Sequence, residues 1–216
     1  MAYAKGSHFD FDGTLVDSMF IWDTIGEDYL RSLGKEPRED LKETFMTFTL
    51  EEAAEYYRTH YGVTLSVKEI VDGVNSMVEE IYRTKVTLKP RVAEYLAWLR
   101  VNGVRMCVAT VTDRYLVEET LDRLGILQYF SEIFTCAEVG YGKDKPIIYR
   151  KALDHLDTAK NETYVFEDSL FALKTAKADG FTTVGVYDRH ENRQDNLKNL
   201  ADYYIVDFAD PVLKTI

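Results

Sequence analysis

Apolar positions follow two regimes along the chain. From Met19 to Val86 they recur at helical spacing: Ile21, Ile25, Tyr29 and Leu30, then Ala53, Ala54, Tyr57 and Tyr61, then Ile70, Val74, Met77, Val78 and Ile81. Residues three or four apart share one face of a helix, so each set predicts a helix with a single buried stripe. Gly34 and Gly62 follow the first two sets and suit their ends. Thr49 with Glu52 has the spacing of a capping box and opens a helix at Leu50.

From Leu88 onward, helix-like and strand-like segments alternate. Pro90 opens a helix through Leu99, ended by Gly103, and Val104 to Ala109 is a short apolar strand. A helix over Tyr115 to Leu124 leads to a strand over Ile133 to Val139 and a helix over Pro146 to Leu156. Tyr164 to Phe166 reads as a strand, Ser169 to Asp179 as a helix, and Thr182 to Tyr187 and Tyr203 to Val206 as strands. Such alternation predicts an α/β fold, a doubly wound parallel sheet with helices on both faces. The first strand lies at about Ala4 to Phe11, so the α/β core is interrupted by an all-helical insert. The expected domains are a core over 1–15 and 88–216 and a helical domain over 16–87. No internal repeat or low-complexity segment is visible.

Composition narrows the function. The 216 residues are 46% hydrophobic and 29% charged, an ordinary globular balance. A net charge of −11 disfavours nucleic acid and anionic membrane surfaces as partners, and makes an anionic substrate costly to bind without a local cation. Cys107 and Cys136 lie in or beside apolar runs and read as buried, reduced thiols. No apolar stretch reaches the roughly 18 residues of a membrane span, and no signal-peptide pattern is seen. The default expectation is a cytoplasmic monomer acting on a small molecule.

Four polar clusters stand where strands are predicted to end, which is where doubly wound sheets bind ligands. The first is Asp10-Phe11-Asp12-Gly13-Thr14. Two carboxylates held close need a cation between them or a proton on one, and Gly13 lets the backbone pass tightly by a ligand. An Asx-rich turn explains the same residues. The second cluster is Thr110-Val111-Thr112, a hydroxyl and backbone N–H groups ahead of a helix, suited to an anion or to a plain cap. The third is Lys143, with Lys145 close by, in a glycine loop; it is either a phosphate ligand or a solvated cation. The fourth is Glu167-Asp168-Ser169, two acids suited to Mg²⁺ or a helix cap.

Taken together and in this order, the four clusters resemble the haloacid dehalogenase superfamily of phosphohydrolases. The run from Asp10 to Ser18 resembles its first motif almost residue for residue, and the likeness extends over essentially the whole chain. The resemblance implies Asp10 as nucleophile, forming an aspartyl-phosphate. It implies Asp12 as general acid and base, with its backbone carbonyl on Mg²⁺. Thr110 and the Val111 N–H would hold phosphate beside Gly13, Thr14 and Thr112, and Lys143 would bridge nucleophile and phosphate. Asp10 and Asp168 would bind Mg²⁺, with Glu167 a direct or water-mediated second ligand, and the helical insert would be the family's cap domain. The third motif departs from the family pattern, reading Lys143-Asp144-Lys145-Pro146-Ile147, so Lys145 competes with Lys143. His8 stands where the family has an aliphatic strand residue.

The resemblance thus implies a Mg²⁺-dependent phosphatase for a small phosphorylated metabolite. The alternative is a sugar-phosphate mutase resembling β-phosphoglucomutase. Such mutases carry a histidine early in the first cap helix, where this chain has Trp22, and an arginine where Leu50 aligns. Trp22 is then a candidate wall for the substrate, and Thr47 and Thr49 lie in a cap loop that can meet the leaving group. A phosphonate-cleaving relative would need a cap lysine, and none lies between Gly13 and Leu33.

Overall fold

A computed structural model describes residues 4–45 and 48–215. The chain divides into two compact units: Met1–Ser18 with Val86–Ile216, and Met19–Lys85. Thr47 lies outside the described residues.

The first unit is built on a six-stranded sheet in which all neighbours run parallel. Its strands are β1 (Gly6–Phe9), β4 (Arg105–Thr110), β5 (Ile133–Thr135), β6 (Thr163–Glu167), β7 (Thr182–Val186) and β8 (Tyr203–Ile205). Their order is β5-β4-β1-β6-β7-β8. The winding reverses direction at β1, so the ends of β4, β1 and β6 border a topological switch point, where ligands bind in such sheets. Register aligns the three ends: Phe9 pairs with Val108 on one side and Phe166 on the other. β1 is buried at every position, and Phe9 stacks on Phe166 with ring centroids 4.4 Å apart. The helices are α5 (Val92–Val101), α6 (Arg114–Arg123), the single turn α7 (Cys136–Val139), α8 (Ile147–Leu156), α9 (Leu170–Ala178) and α10 (Gln194–Leu200).

Two short strands sit where the chain leaves and re-enters this unit. β2 (Val16–Asp17) pairs antiparallel with β3 (Thr87–Leu88). This pairing holds both linkers to the α/β unit, so the division falls after Ser18 and before Val86 rather than at the expected 15/16 and 87/88.

The second unit consists of α1 (Ile21–Ser32), α2 (Leu41–Phe45), α3 (Leu50–Tyr61) and α4 (Val67–Thr84). The Thr49–Glu52 capping box is formed in both directions, and a second one, Ser66–Glu69, opens α4. α4 buries Ile70, Val74, Val78 and Tyr82. Each aliphatic of that stripe contributes about 1.5–3 kcal/mol on burial. Gly73 lets α1 approach α4, because a Cβ there would overlap the Tyr29 ring and hydroxyl.

One predicted element changes type. The apolar run Ile133 to Val139 is a strand only to Thr135. The Thr135 hydroxyl then accepts the Glu138 N–H at 3.2 Å, which closes the helical turn α7. β2, β3, α2 and α10 are too short or too polar to leave a periodic signal. Both cysteines are free thiols, Cys107 buried and Cys136 only partly so. Among the described residues no helix is long and apolar enough to cross a membrane.

Candidate active site

The carboxyl end of β1 delivers Asp10, whose N–H donates to the Phe166 carbonyl at 3.0 Å and so continues the ladder with β6. Asp10 Oδ1 accepts the Phe11 N–H at 2.7 Å and lies 2.7 Å from Lys143 Nζ. Lys143 also reaches Glu167 Oε1 at 2.5 Å. Its chain is almost fully buried. Burial alone would lower the ammonium pKa, but Asp10 and Glu167 hold it above its ordinary value. Lys145 instead lies over the Tyr141 ring, 4.6 Å from the centroid. The structure therefore separates the two lysines of the third cluster.

Asp10, Glu167 and Asp168 gather into one group, each offering a carboxylate oxygen within 4.8 Å of the others. All three are buried. Burial pushes the Glu167 carboxyl well up, helped by the negative charge of Asp10. The same causes push Asp168 up to about 8. With every group ionised, one ammonium would face three buried carboxylates, and the raised Glu167 and Asp168 carboxyls reflect that imbalance. Glu167 Oε2 is buried without a hydrogen-bond partner among the described residues. A hard divalent cation fits this all-oxygen set and offsets its charge.

Gly13 holds φ at +68°, and a Cβ there would overlap the Asp168 carboxylate. Only a residue without a side chain lets the turn after β1 pass that close to the end of β6. The next residue, Thr14, donates its hydroxyl to Asp168 Oδ1 at 3.1 Å. Ser169 makes no side-chain cap on α9, and Glu191 Oε2 accepts the Leu170 N–H at 3.0 Å instead.

Asp12 stands apart from the three-carboxylate group. Ser18 donates to its Oδ1 at 2.5 Å, and the Thr112 hydroxyl donates to its Oδ2. The Thr110 hydroxyl is buried and accepts the Thr112 N–H at 3.1 Å, shaping the turn after β4, while Val111 is exposed. The α/β unit thus brings together Asp10, Asp12, Gly13, Thr14, Thr110, Thr112, Lys143, Glu167 and Asp168. Trp22 belongs to the helical unit, on α1, and is half exposed. Thr49 is engaged as the α3 cap.

Several contacts had no signal in the spacing. Tyr149, on α8, donates its hydroxyl to Glu167 Oε1 at 2.8 Å; in the sequence it is one more apolar position of a helix. Lys89 pairs with the buried Asp188 at 2.6 Å and donates to the Tyr187 carbonyl at 3.0 Å, next to the β2–β3 linkers. His8 faces Phe181, ring centroids 5.6 Å apart, and its two ring nitrogens have no partner among the described residues.

Residues 8–186 match the family model of haloacid dehalogenase-like hydrolases. The chain belongs to this family. Its curated relatives within the family include named phosphatases. A phosphorylated carbohydrates phosphatase of Thermotoga maritima is 26% identical over 176 residues, 82% of each chain. Protein CbbY of Cereibacter sphaeroides is 29% identical over 197 residues, 85% of each. Among solved structures of the family, a CbbY mutant from Rhodobacter sphaeroides in complex with xylulose-(1,5)-bisphosphate has a TM-score of 0.73 at 25% identity over 96% of both chains. A β-phosphoglucomutase so described from Thermotoga maritima has a TM-score of 0.83 at 24% identity, covering 93% of this chain and 94% of that one, and shares the fold.

Proposed function

We propose that the chain is a Mg²⁺-dependent phosphomonoester hydrolase that works through an aspartyl-phosphate on Asp10. The observation that carries this reading is the Asp10 carboxylate, held by Lys143 at 2.7 Å within a buried group that includes Glu167 and Asp168. Two donors take Oδ1 of Asp10, which supports Oδ2 as the atom that attacks phosphorus. Lys143 keeps the nucleophile ionised and meets the charge of the incoming phosphate.

Asp10, Glu167 and Asp168, with the backbone carbonyl of Asp12, would hold Mg²⁺. When bound, Mg²⁺ supplies positive charge to the phosphoryl oxygens and to the carboxylate cluster. In the first half-reaction, a bond forms between Asp10 Oδ2 and phosphorus as the ester P–O bond breaks. Asp12 gives a proton to the leaving oxygen. In the second half, Asp12 takes a proton from water as the water attacks phosphorus. The acyl-phosphate bond then breaks, releasing phosphate and restoring Asp10. Thr110, the Val111 N–H and Thr112, at the end of β4, would hold the phosphate with Gly13 and Thr14. Trp22 would line the leaving-group side, and residues 19–85 would serve as the cap.

The substrate class is a phosphorylated sugar or sugar alcohol. Relatives named for phosphorylated carbohydrates and hexitols, and the CbbY complex with xylulose-(1,5)-bisphosphate, support that choice. Hydrolysis is favoured over the mutase alternative because Trp22 occupies the position where mutases carry their cap histidine. The test is phosphate release from a panel of sugar phosphates, sugar-alcohol phosphates, nucleotides and an aryl phosphate with Mg²⁺. Release well above an Asp10→Asn control supports the reading. No release from any member, with isomerisation of a hexose 1-phosphate, moves the assignment to a mutase.

A further inference from the structure

Glu167 closes β6 with its two carboxylate oxygens in unequal surroundings. Oε1 accepts from Lys143 Nζ at 2.5 Å and from the Tyr149 hydroxyl at 2.8 Å. Oε2 is buried and has no partner among the described residues. A carboxylate oxygen buried this way is costly unless a cation meets it.

Tyr149 is well placed to decide which oxygen is which. α8 begins just after the loop that carries Lys143, so both donors come from one stretch of chain. The phenol is fully buried, packed in a cluster with Ala109, Ile148, Val165, Ala176 and Phe181. Its ring lies 6.1 Å from that of Phe181. A ring packed this tightly fixes the position of its hydroxyl. The Lys143 ammonium is a point charge shared with Asp10 and donates in no single direction, whereas the packed phenol donates along one O–H bond.

We propose that Tyr149 is a positioning residue for the metal site: its hydroxyl, with Lys143, occupies Oε1 of Glu167 and so presents Oε2 to a divalent cation shared with Asp10 and Asp168. The inference rests on the metal-dependent reading above. It carries a selectivity. Mg²⁺ demands near-ideal octahedral geometry, whereas Ca²⁺ accepts irregular and more numerous oxygens. A carboxylate held in one orientation favours the demanding ion, and freeing it penalises Mg²⁺ more than Ca²⁺.

The test is calorimetric titration of Mg²⁺ and of Ca²⁺ into the parent protein and into Tyr149→Phe, which keeps the buried ring and removes only the hydroxyl. The parent is expected to bind Mg²⁺. In Tyr149→Phe the Mg²⁺ Kd is expected to rise about 10-fold or more, the size of effect seen when outer partners of metal ligands are removed. The Ca²⁺ Kd rises less, and phosphate release lost at low Mg²⁺ returns in excess Mg²⁺. Equal Mg²⁺ affinity in the two proteins, or an equal loss for both ions, overturns the proposal. A parent that binds no Mg²⁺ overturns the metal-dependent reading beneath it, which keeps the two failures distinct. If Tyr149→Phe does not fold, Tyr149→Met, similar in length and without a strong donor, tests the same affinity ratio.

Discussion

Lys143→Met is the perturbation that bears hardest on the electrostatics of the site. Lys143 is 4% exposed and lies within 2.7 Å of Asp10 and 2.5 Å of Glu167. Methionine fills similar volume but removes the charge, leaving three buried carboxylates with no protein cation against them. Breaking one partner of a buried ion pair costs about 3–5 kcal/mol. For a chain of this size each kcal/mol moves Tm by about 2–4 °C, so the variant should melt about 6–20 °C lower without metal at a pH above the raised Asp168 carboxyl, which lies at about 8. The loss should narrow in acid. Protonation of Glu167 and Asp168 removes the charge that Lys143 balances, and burial already raises both carboxyls. Mg²⁺ should restore part of the lost stability by binding the folded state alone. Turnover should fall at least about 100-fold, the size of effect when one donor to transition-state charge is removed. Lys145→Met, over the Tyr141 ring, should leave turnover within about 2-fold. The assays are denaturant unfolding across pH, with and without Mg²⁺, and phosphate release. Unchanged stability and turnover in Lys143→Met, or a larger loss in Lys145→Met, would refute the reasoning.

Burial pushes His8 down to about 3, so it stays neutral in the folded chain while the unfolded chain takes a proton near pH 6.5. Its contribution is therefore full above about pH 6.5 and falls by about 1.4 kcal/mol per pH unit toward pH 3; urea unfolding of His8→Leu should show a shallower acid slope, and an identical slope would contradict this. For Asp168 the sign is opposite, since a raised carboxyl loses stability as pH climbs from about 4 to about 8. Mg²⁺ should accordingly raise Tm more at pH 8 than at pH 5, and a flat response across that range would count against the metal site. Gly13→Ala should cost at least about 1–2 kcal/mol from its left-handed backbone and weaken Mg²⁺ binding by crowding Asp168; thermal melts and metal titration read both. Asp12→Asn should lower turnover about 100- to 10,000-fold with little change in Tm, and full turnover would exclude it as acid and base.

The alternation after Leu88 made the parallel sheet legible, because buried strands and amphipathic helices have different periods. The clustering of Asp10, Glu167 and Asp168 was legible for another reason: each sits where a strand stops, and polar residues at such ends have little packing role. Periodicity failed at Cys136–Val139, where the Thr135 cap overrode an apolar run, and at β2–β3, where two-residue strands have no period to read. The division of labour between Lys143 and Lys145 was invisible in spacing, since it depends on which one the loop turns inward. Tyr149 was hidden because a buried tyrosine on a helix looks the same whether or not its hydroxyl has a task. His8 was read as a strand residue, and it is one; that its ring nitrogens lack a hydrogen-bond partner among the described residues is a property of the packed sheet.

The central claim is that Asp10 carries the phosphoryl group. The most direct measurement is rapid acid quench of the Mg²⁺-loaded protein turning over a sugar phosphate labelled in its phosphoryl group, followed by peptide mapping. The account predicts labelled protein whose phosphate is released by hydroxylamine, maps to the peptide holding Asp10, and is absent in Asp10→Asn. Phosphate release with no labelled protein at any quench time, or label on a different residue, would contradict it.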